Sequence, residues 1–294
     1  MTDLVEGVLR GLGVGSVYAL LALGFVIIYK ATRVISFAQP ALMLAGVVMV
    51  SHLVGGVGFW VAVPLAALLT AVLALGVERV AVRPMIGRPA FVVAIITLGV
   101  DVAIRVVVNA FIGLDVRNIH DPWGLDTISL GPVDMEQRHL AALIVAAVLV
   151  LGLFAFFRYT RMGVAMRAAA DDQEAALAQG ISVGAVFAVS WALAGALAAV
   201  GGTFAAAGGS FDGTLWIVAL VALPVIILGG LDSLPGAVLG GLLVGVVQEL
   251  VGTYQNNFPW LGGNISVITP YVLMLIVLLV RPYGLFGTKE VERV

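Results

Sequence analysis

The sequence contains no cysteine in its 294 residues, and only 11% of its residues are charged. The absence of cysteine excludes disulfide bonds and thiolate metal sites. A soluble domain carries about 25% charged residues, so a chain this poor in charge and 62% hydrophobic lacks the polar surface of an aqueous fold. The composition therefore predicts an integral membrane protein, in which many of the 36 glycines pack helices together.

Motifs of enzyme chemistry are also missing. The three histidines, His52, His120 and His139, are scattered and form no HExxH motif. The two lysines, Lys30 and Lys289, close no GxxxxGK[ST] phosphate loop, and there is no GxSxG nucleophile elbow. We therefore expect no catalytic residue, no metal site and no enzyme activity in this chain.

Nine apolar stretches predict an all-α, polytopic membrane protein of about 8–9 transmembrane helices, with one domain over residues 1–294. The two stretches between residues 215 and 251 are short and are separated by LDSLPG, which predicts either two thin spans or a broken, re-entrant pair. Glycines at every fourth residue, at 7, 11 and 15 and again in 236–245, predict close helix packing. The stretches are 12–29, 41–57, 59–78, 90–111, 139–157, 181–206, 215–230, 235–251 and 266–280.

The positions of the 15 basic residues predict the orientation. Only Arg10, Arg117 and Arg138 fall on one predicted side, and Arg105 lies inside a span. Basic residues accumulate in cytoplasmic loops, so the positive-inside rule places the loop 158–180 and the C-terminus in the cytoplasm and the loop 112–138 outside. The larger group comprises Lys30, Arg33, Arg79, Arg83, Arg88, Arg158, Arg161, Arg167, Arg281, Lys289 and Arg293.

One charged segment interrupts the apolar sequence. In residues 161–180, Asp171 and Glu174 have capping-box spacing, and Gly180 is a typical helix stop after a run of good helix formers. The pattern predicts a short, capped helix at the membrane surface that docks a partner. The alternative is an ordinary solvated loop between two spans. The charged residues of the segment are Arg161, Arg167, Asp171, Asp172 and Glu174.

Polar residues inside the spans are few. Asp101 and Arg105 stand four apart on one predicted helix, so we expect a structural ion pair; the alternative is a polar pathway. Residues 36–40 and 228–236 interrupt apolar stretches in the two halves of the chain. Broken helices expose backbone groups and often mark a substrate route, although both interruptions also fit tight interfacial turns.

The motifs, in this order, resemble those of branched-chain amino-acid ABC transporter permeases, and the resemblance covers nearly the whole chain. It implies an ABC importer permease fold in the inner membrane of a bacterial cell. Partners implied are a second homologous permease, two cytoplasmic ATPases that bind ATP and Mg²⁺, and an extracytoplasmic solute-binding protein. The motifs are YALLALG at 18–24, ISFAQP at 35–40, ERVAVRP at 78–84, TLG at 97–99, RMG at 161–163 with RA at 167–168, LGGLDSLPGAVLGG at 228–241 and RPYGLFG at 281–287.

The resemblance also implies roles for individual residues. Glu174, Ala175, Ala176 and Gly180 resemble the short permease motif that seats the ATPase, so we expect 161–180 to be the coupling segment. The family commonly has INFAHG where this chain has ISFAQP, and a glutamine cannot be protonated as a histidine can. The two interrupted stretches, rather than the resemblance, predict the pathway residues, to which Thr97 of the TLG motif is added. The expected pathway residues are Ser36, Phe37, Gln39, Pro40, Thr97, Gly229, Gly230, Ser233 and Pro235.

The cargo is expected to be a small polar solute, with branched-chain amino acids favoured and urea, short amides or aromatic acids as alternatives within the same family. A secondary transporter or channel is the alternative of another class. It would normally need unpaired acidic residues or unwound cation sites within its spans, whereas Asp101 has a predicted partner.

Overall fold

Helices dominate the computed structural model, which describes residues 2–85, 88–112, 116–130, 133–255 and 264–287. The third helix continues through a π-helical turn at Glu78–Val82 and a 3₁₀ turn at Arg83–Met85. The helices are α1 Thr2–Thr32, α2 Gln39–Val57, α3 Phe59–Val77, α4 Ala90–Ile112, α5 Gln137–Tyr159, α6 Arg161–Asp171, α7 Gln173–Ala178, α8 Val183–Ala206, α9 Ile217–Leu220, α10 Ala222–Gly229, α11 Leu234–Tyr254 and α12 Ile265–Val280.

Four short strands lie in the connections at one end of the molecule. The hairpin of β2 (Thr127–Leu130) and β3 (Val133–Glu136) is antiparallel, and β1 (Arg117–Asn118) pairs with β4 (Ser210–Phe211). Three of these strands fall within the loop predicted at 112–138, which is therefore partly ordered by strand pairing. Asp115 of that loop lies outside the described residues.

Helix lengths agree with the predicted spans. Seven described helices are long and apolar enough to cross a membrane, and two shorter apolar helices cover 217–229 and 265–280. Of the two stretches predicted to be short between residues 215 and 251, only the first is short in the structure. At about 1.5 Å per residue, α11 reaches roughly 31 Å, whereas α9 and α10 together reach roughly 20 Å. The turn that follows α10 lies beside the C-terminal end of α1, because Lys30 donates to the carbonyl of Asp232.

The first helix forms the centre of the molecule. It is buried along most of its length and packs against α5, α8, α10 and α11, whereas α3, α4 and α5 expose apolar side chains along their outer faces. In a bilayer such faces contact lipid or another membrane subunit. The helix also begins ten residues before the predicted span, because its first turns pack on α11.

Small residues allow α1 and α11 to approach closely. A Cβ atom at Gly15 would lie 2.8 Å from the carbonyl oxygen of Gly241, and one at Gly11 would lie 3.0 Å from that of Gly245. Real Cβ contacts are longer than this, so only glycine fits at these positions. The predicted packing role of the spaced glycines is confirmed.

The molecule has two ends, defined here as the strand end, with β1–β4 and the start of α1, and the α7 end, with α6, α7 and the end of α1. Contacts place Arg33, Arg83 and Lys30 of the larger basic group at the α7 end, while Arg117 and Arg138 lie at the strand end. These five residues are thus grouped as the sequence predicted, and the side of the membrane that each end faces stays a prediction. Lys289 and Arg293 lie outside the described residues.

Candidate coupling surface and transport pathway

The ion pair expected within α4 is formed. Arg105 donates from Nε and Nη2 to Oδ2 of Asp101, at 2.8 and 2.6 Å, and its guanidinium lies 4.0 Å from the centre of the Trp216 ring. The Asp101 carboxylate is buried. Pairing and stacking on the indole offset the desolvation of both charges.

The same carboxylate also holds the start of α2. The sequence analysis did not predict this contact. Ala38, at the N-cap position of α2, offers no side-chain cap, and Oδ1 of Asp101 instead accepts the backbone N–H of Ala41 at 3.1 Å. Four residues earlier on α4, Oγ1 of Thr97 accepts the backbone N–H of Phe37 at 3.1 Å. A carboxylate is favourable at a helix N-terminus, so α4 fixes the segment 36–41 through two hydrogen bonds.

Within the segment 36–40, the polar side chains point into the chain's own interior. Ser36 and Gln39 are buried, and Phe37 is half-buried. Gln39 Nε2 donates to the Ala194 carbonyl at 3.1 Å, in a space that exists because residue 24 is glycine. Gln39 Oε1 is buried without a hydrogen-bond partner among the described residues. An unsatisfied buried acceptor is costly, and it offers a bond to any donor that reaches it.

The interruption at 229–236 is a compact turn at the α7 end. α10 ends at Gly229, and Gly230 adopts φ 108°, which disfavours other residues. The carbonyls of Leu228 and Gly229 accept the backbone N–H groups of Leu285 and Phe286, at 2.8 and 3.0 Å. The RPYGLFG motif therefore closes the end of α10 and uses backbone groups that an unwound stretch would otherwise leave free.

The second half of this turn starts α11. The Ser233 hydroxyl caps the helix by accepting the N–H of Gly236 at 3.0 Å, and Pro235 is exposed in the first turn. Lys30 of α1 donates to the carbonyl of Asp232 at 3.0 Å. The two interrupted stretches thus bond to different neighbours. Residues 36–40 bond to α4 and α8, whereas residues 229–236 bond to the C-terminal segment and to Lys30. Both also contact α1.

The charged segment 161–180 forms two helices joined by a bend. The N-cap of α7 is Asp172, whose Oδ1 accepts the N–H of Ala175 at 3.0 Å. The predicted capping box of Asp171 and Glu174 is therefore not formed, because Asp171 ends α6 and the extended backbone needed at an N-cap occurs at Asp172. The residue three positions after Asp172 is Ala175, which cannot complete a capping box. The predicted stop at Gly180 is correct, with φ 80°.

The end of α7 is closed by a Schellman motif. Gly180 N–H bonds to the carbonyl of Leu177, and Ile181 N–H bonds to that of Ala176, both at 2.9 Å. The predicted coupling residues are all exposed except Ala176, which is buried against the protein. Leu177 is 57% exposed, an apolar side chain on a charged surface that the sequence reading missed. The exposed residues are Arg161, Arg167, Asp171, Asp172, Glu174, Ala175 and Gly180.

Two hydrogen bonds attach this segment to the end of α1. Arg33 Nη2 donates to the Ala170 carbonyl at 2.6 Å, and Gln173 Nε2 donates to the Ala31 carbonyl at 2.9 Å. The first bond joins the last residue but one of α6 to Arg33, and the second joins the first residue of α7 to Ala31. Arg33 directly follows the last residue of α1, and Gln173 is the first residue of α7; the sequence carries no other signal for either contact.

The ERVAVRP motif attaches α8 to α3 next to the same segment. Glu78 is buried and accepts two hydrogen bonds from Arg83, at 2.9 and 3.1 Å. Arg83 Nη2 also donates to the Gly184 carbonyl at 3.0 Å, in the first turn of α8. A bidentate pair of this kind is among the stronger polar contacts, so it fixes the chain just after the coupling segment.

These features define a polytopic, predominantly helical membrane protein with a capped helix exposed at one end. Among the residues that the structure describes, no group of three His, Cys, Asp or Glu side chains is placed to hold a metal ion. Residues 7–279 match the model of the branched-chain amino acid transport system / permease component family. The chain belongs to this family, and is therefore a permease component of a transporter.

Individual relatives match along nearly their whole length. The chain is 28% identical to the high-affinity branched-chain amino acid transport system permease protein LivH of Salmonella typhimurium, over 99% of this chain and 97% of that one. It is 27% identical to the permease protein BraD of Pseudomonas aeruginosa, which has the same system description, over 99% and 98%.

A solved structure shares the fold. A chain of PsaBC from Streptococcus pneumoniae, in complex with Fab, superimposes with a TM-score of 0.55 and 14% identity, over 96% of this chain and 93% of that one. At this identity the likeness concerns the fold alone.

Proposed function

We propose that this chain is the membrane permease subunit of an ATP-binding cassette importer for branched-chain amino acids. The observation that carries the proposal is the match to the permease family over residues 7–279, together with relatives named for this transport over nearly their full length. The exposed, capped helix α7 supplies a docking element that such an importer requires.

The working importer contains several other subunits in this proposal. Two ATPases bind ATP and Mg²⁺ and dock on α6 and α7, a second permease completes the passage, and an extracytoplasmic solute-binding protein delivers the cargo. The permease hydrolyses nothing itself. The basic α7 end faces the cytoplasm of a bacterial cell, the C-terminus lies on that side, and the strand end faces outward.

Residues 36–40 and 229–236 are proposed to line or control the passage. The first segment supplies Gln39 Oε1 as a buried acceptor and Phe37 as an apolar wall. Lys30 of α1 bonds to the turn at 229–236, Gln39 lies against Gly24 of the same helix, and the coupling segment bonds to Ala31 and Arg33 at its end. A movement of α6 and α7 is proposed to reach both segments through α1. Polar groups without net charge suit the passage of a small polar solute.

The cargo is tested with purified complex in liposomes that contain the binding protein outside and ATP with Mg²⁺ inside. We expect uptake of radiolabelled leucine, isoleucine and valine that stops when Mg²⁺ is omitted. A second candidate cargo, urea or a short amide, is favoured by Gln39, because an amide side chain pairs well with another amide. Uptake of urea or acetamide without uptake of leucine would replace the branched-chain assignment, and uptake driven by an ion gradient without ATP would replace the importer.

A further inference from the structure

A cavity of about 410 Å³ lies at the strand end, between α1, α5, α8 and α11. Small-molecule sites commonly measure about 300–1,000 Å³, so the cavity is large enough for a ligand such as an amino acid. Arg10, which lines it, precedes Gly24 by 14 residues on α1, a distance of roughly 21 Å along the helix. Among the described residues that line the cavity, none belongs to the 36–40 segment.

Charged side chains of both signs line this cavity. Glu136 and Arg138 are paired at 2.5 Å, and Arg138 also donates to the Ala207 carbonyl at 2.9 Å. Arg10 and Glu249 line the same cavity from α1 and α11. They interact electrostatically, but among the described residues neither belongs to an ion pair within 4.0 Å. One cation and one anion thus face the cavity without bonding directly to each other.

The remaining wall is mainly apolar. Val14 and Val17 of α1, Ala142 of α5, Phe204 of α8 and Val218 of α9 contribute aliphatic and aromatic surface. Such a wall favours an aliphatic group over water, by about 0.8 kcal/mol for each buried methylene. A cation, an anion and an apolar wall around one cavity match the three parts of an aliphatic amino acid.

We propose that this cavity binds a small aliphatic amino acid as a zwitterion, with its carboxylate on Arg10, its ammonium group on Glu249 and its side chain on the apolar wall. The inference rests on the proposed function for the choice of cargo class. It gives the permease a binding site of its own at the strand end, in addition to that of the solute-binding protein. Charge-assisted hydrogen bonds at both ends of the ligand select against molecules that lack either charge.

Binding is measured with purified permease–ATPase complex in nanodiscs, without the solute-binding protein, using radiolabelled L-leucine. Arg10→Gln and Glu249→Gln should each weaken leucine binding at least tenfold, while Asp3→Asn, an exposed carboxylate elsewhere on α1, should leave it unchanged. Co-purification of the ATPases and the Tm of each complex show that the variants are folded. Leucine binding equal to wild type in both variants would overturn the site.

Analogues identify which charge each residue recognises. Isoamylamine lacks the carboxylate and 4-methylpentanoate lacks the ammonium group, so both should compete poorly in the wild type. The Arg10→Gln variant should lose the preference for leucine over isoamylamine. The Glu249→Gln variant should lose the preference for leucine over 4-methylpentanoate. If the wild type imports leucine but the nanodisc complex binds none, this inference fails and the proposed function stands. If leucine is neither imported nor bound, the proposed function fails first.

Discussion

At the scale of single residues, Asp101 illustrates how a charge inside an apolar helix is used twice. Oδ2 pairs with Arg105 and Oδ1 accepts the N–H of Ala41, so the ion pair and the start of α2 depend on one carboxylate. The sequence offered a structural pair or a polar pathway as alternatives. The structure combines the two roles, because the carboxylate that pairs with Arg105 also positions the segment 36–41, which is proposed to control the passage.

Two substitutions of Asp101 separate its roles. Asp101→Asn keeps an acceptor for Ala41 but leaves Arg105 without its anion, which should destabilise the protein by about 2–4 kcal/mol. Asp101→Ala removes the acceptor as well and should reduce uptake beyond the loss of folded protein. Thermal stability, abundance and uptake per folded complex are the measurements.

The control is the double variant Asp101→Asn with Arg105→Gln, which removes both charges and should recover part of the lost stability. If Asp101→Asn alone leaves the stability unchanged but abolishes uptake, the carboxylate acts on the solute rather than on the structure.

At the scale of the elements, α7 carries the features expected of a docking helix. Its ends are closed by Asp172 and Gly180, Ala176 anchors it to the protein, and Leu177 with Glu174 faces outward. A six-residue helix is too short to be stable alone, so capping at both ends maintains its shape for a partner.

Changes on this exposed surface should weaken ATPase binding. Glu174→Lys reverses a charge, Leu177→Asp removes an apolar contact, and Gly180→Trp adds bulk at the helix stop, so each should lower co-purification of the ATPases several-fold. Gly180→Asn is the matched control, because asparagine tolerates a positive φ and adds little bulk. Normal co-purification and transport in all three variants would remove α7 from the interface.

The bonds between the coupling segment and α1 give a different expectation. Gln173→Leu and Arg33→Gln each remove one side-chain bond to a backbone carbonyl without changing the exposed docking face. The ATPases should still bind and hydrolyse ATP, but leucine uptake per ATP should fall at least threefold. Gln179→Leu, an exposed glutamine in the same segment, is the control. A parallel fall in ATP hydrolysis and uptake would indicate a docking defect instead.

Elements were predictable where the signal was local. Hydropathy and length located the spans, and helix formers followed by Gly180 located α7. Contacts between distant parts were not predictable, because Ala41 and Asp101 are 60 residues apart and Arg33 and Ala170 are 137 apart. The one-residue error at the cap arose because both Asp171 and Asp172 suit an N-cap, and only the backbone distinguishes them.

At the scale of the whole molecule, α1 contacts each of the regions proposed to be functional. Arg10 lines the cavity at the strand end, Gly24 contacts Gln39, and Lys30 holds the turn before α11. The coupling segment bonds to Ala31 near the end of the same helix and to Arg33 just after it. We infer that α1, which packs through glycines against α11, carries a displacement along its axis between these regions.

Cysteine accessibility tests whether that displacement opens the segments 36–40 and 229–236. Because the native chain has no cysteine, single thiols introduced by Ser36→Cys, Phe37→Cys, Gln39→Cys and Ser233→Cys are the only reactive ones in this subunit. Ser36 and Gln39 are buried in this structure, whereas Phe37 and Ser233 are half-buried. A small water-soluble thiol reagent should therefore modify positions 37 and 233 first.

Nucleotide should change this pattern if the segments line the passage. On addition of ATP with Mg²⁺ to the assembled complex, we expect modification at positions 36 and 39 to rise at least fivefold, because both side chains become reachable only when α1 and α2 separate. Leu68→Cys, on an exposed apolar face of α3, should show no change with nucleotide. The contrary outcome is that all four thiols stay unmodified in every nucleotide state, in a complex that still hydrolyses ATP. That result would show that both stretches are static turns and do not line the passage.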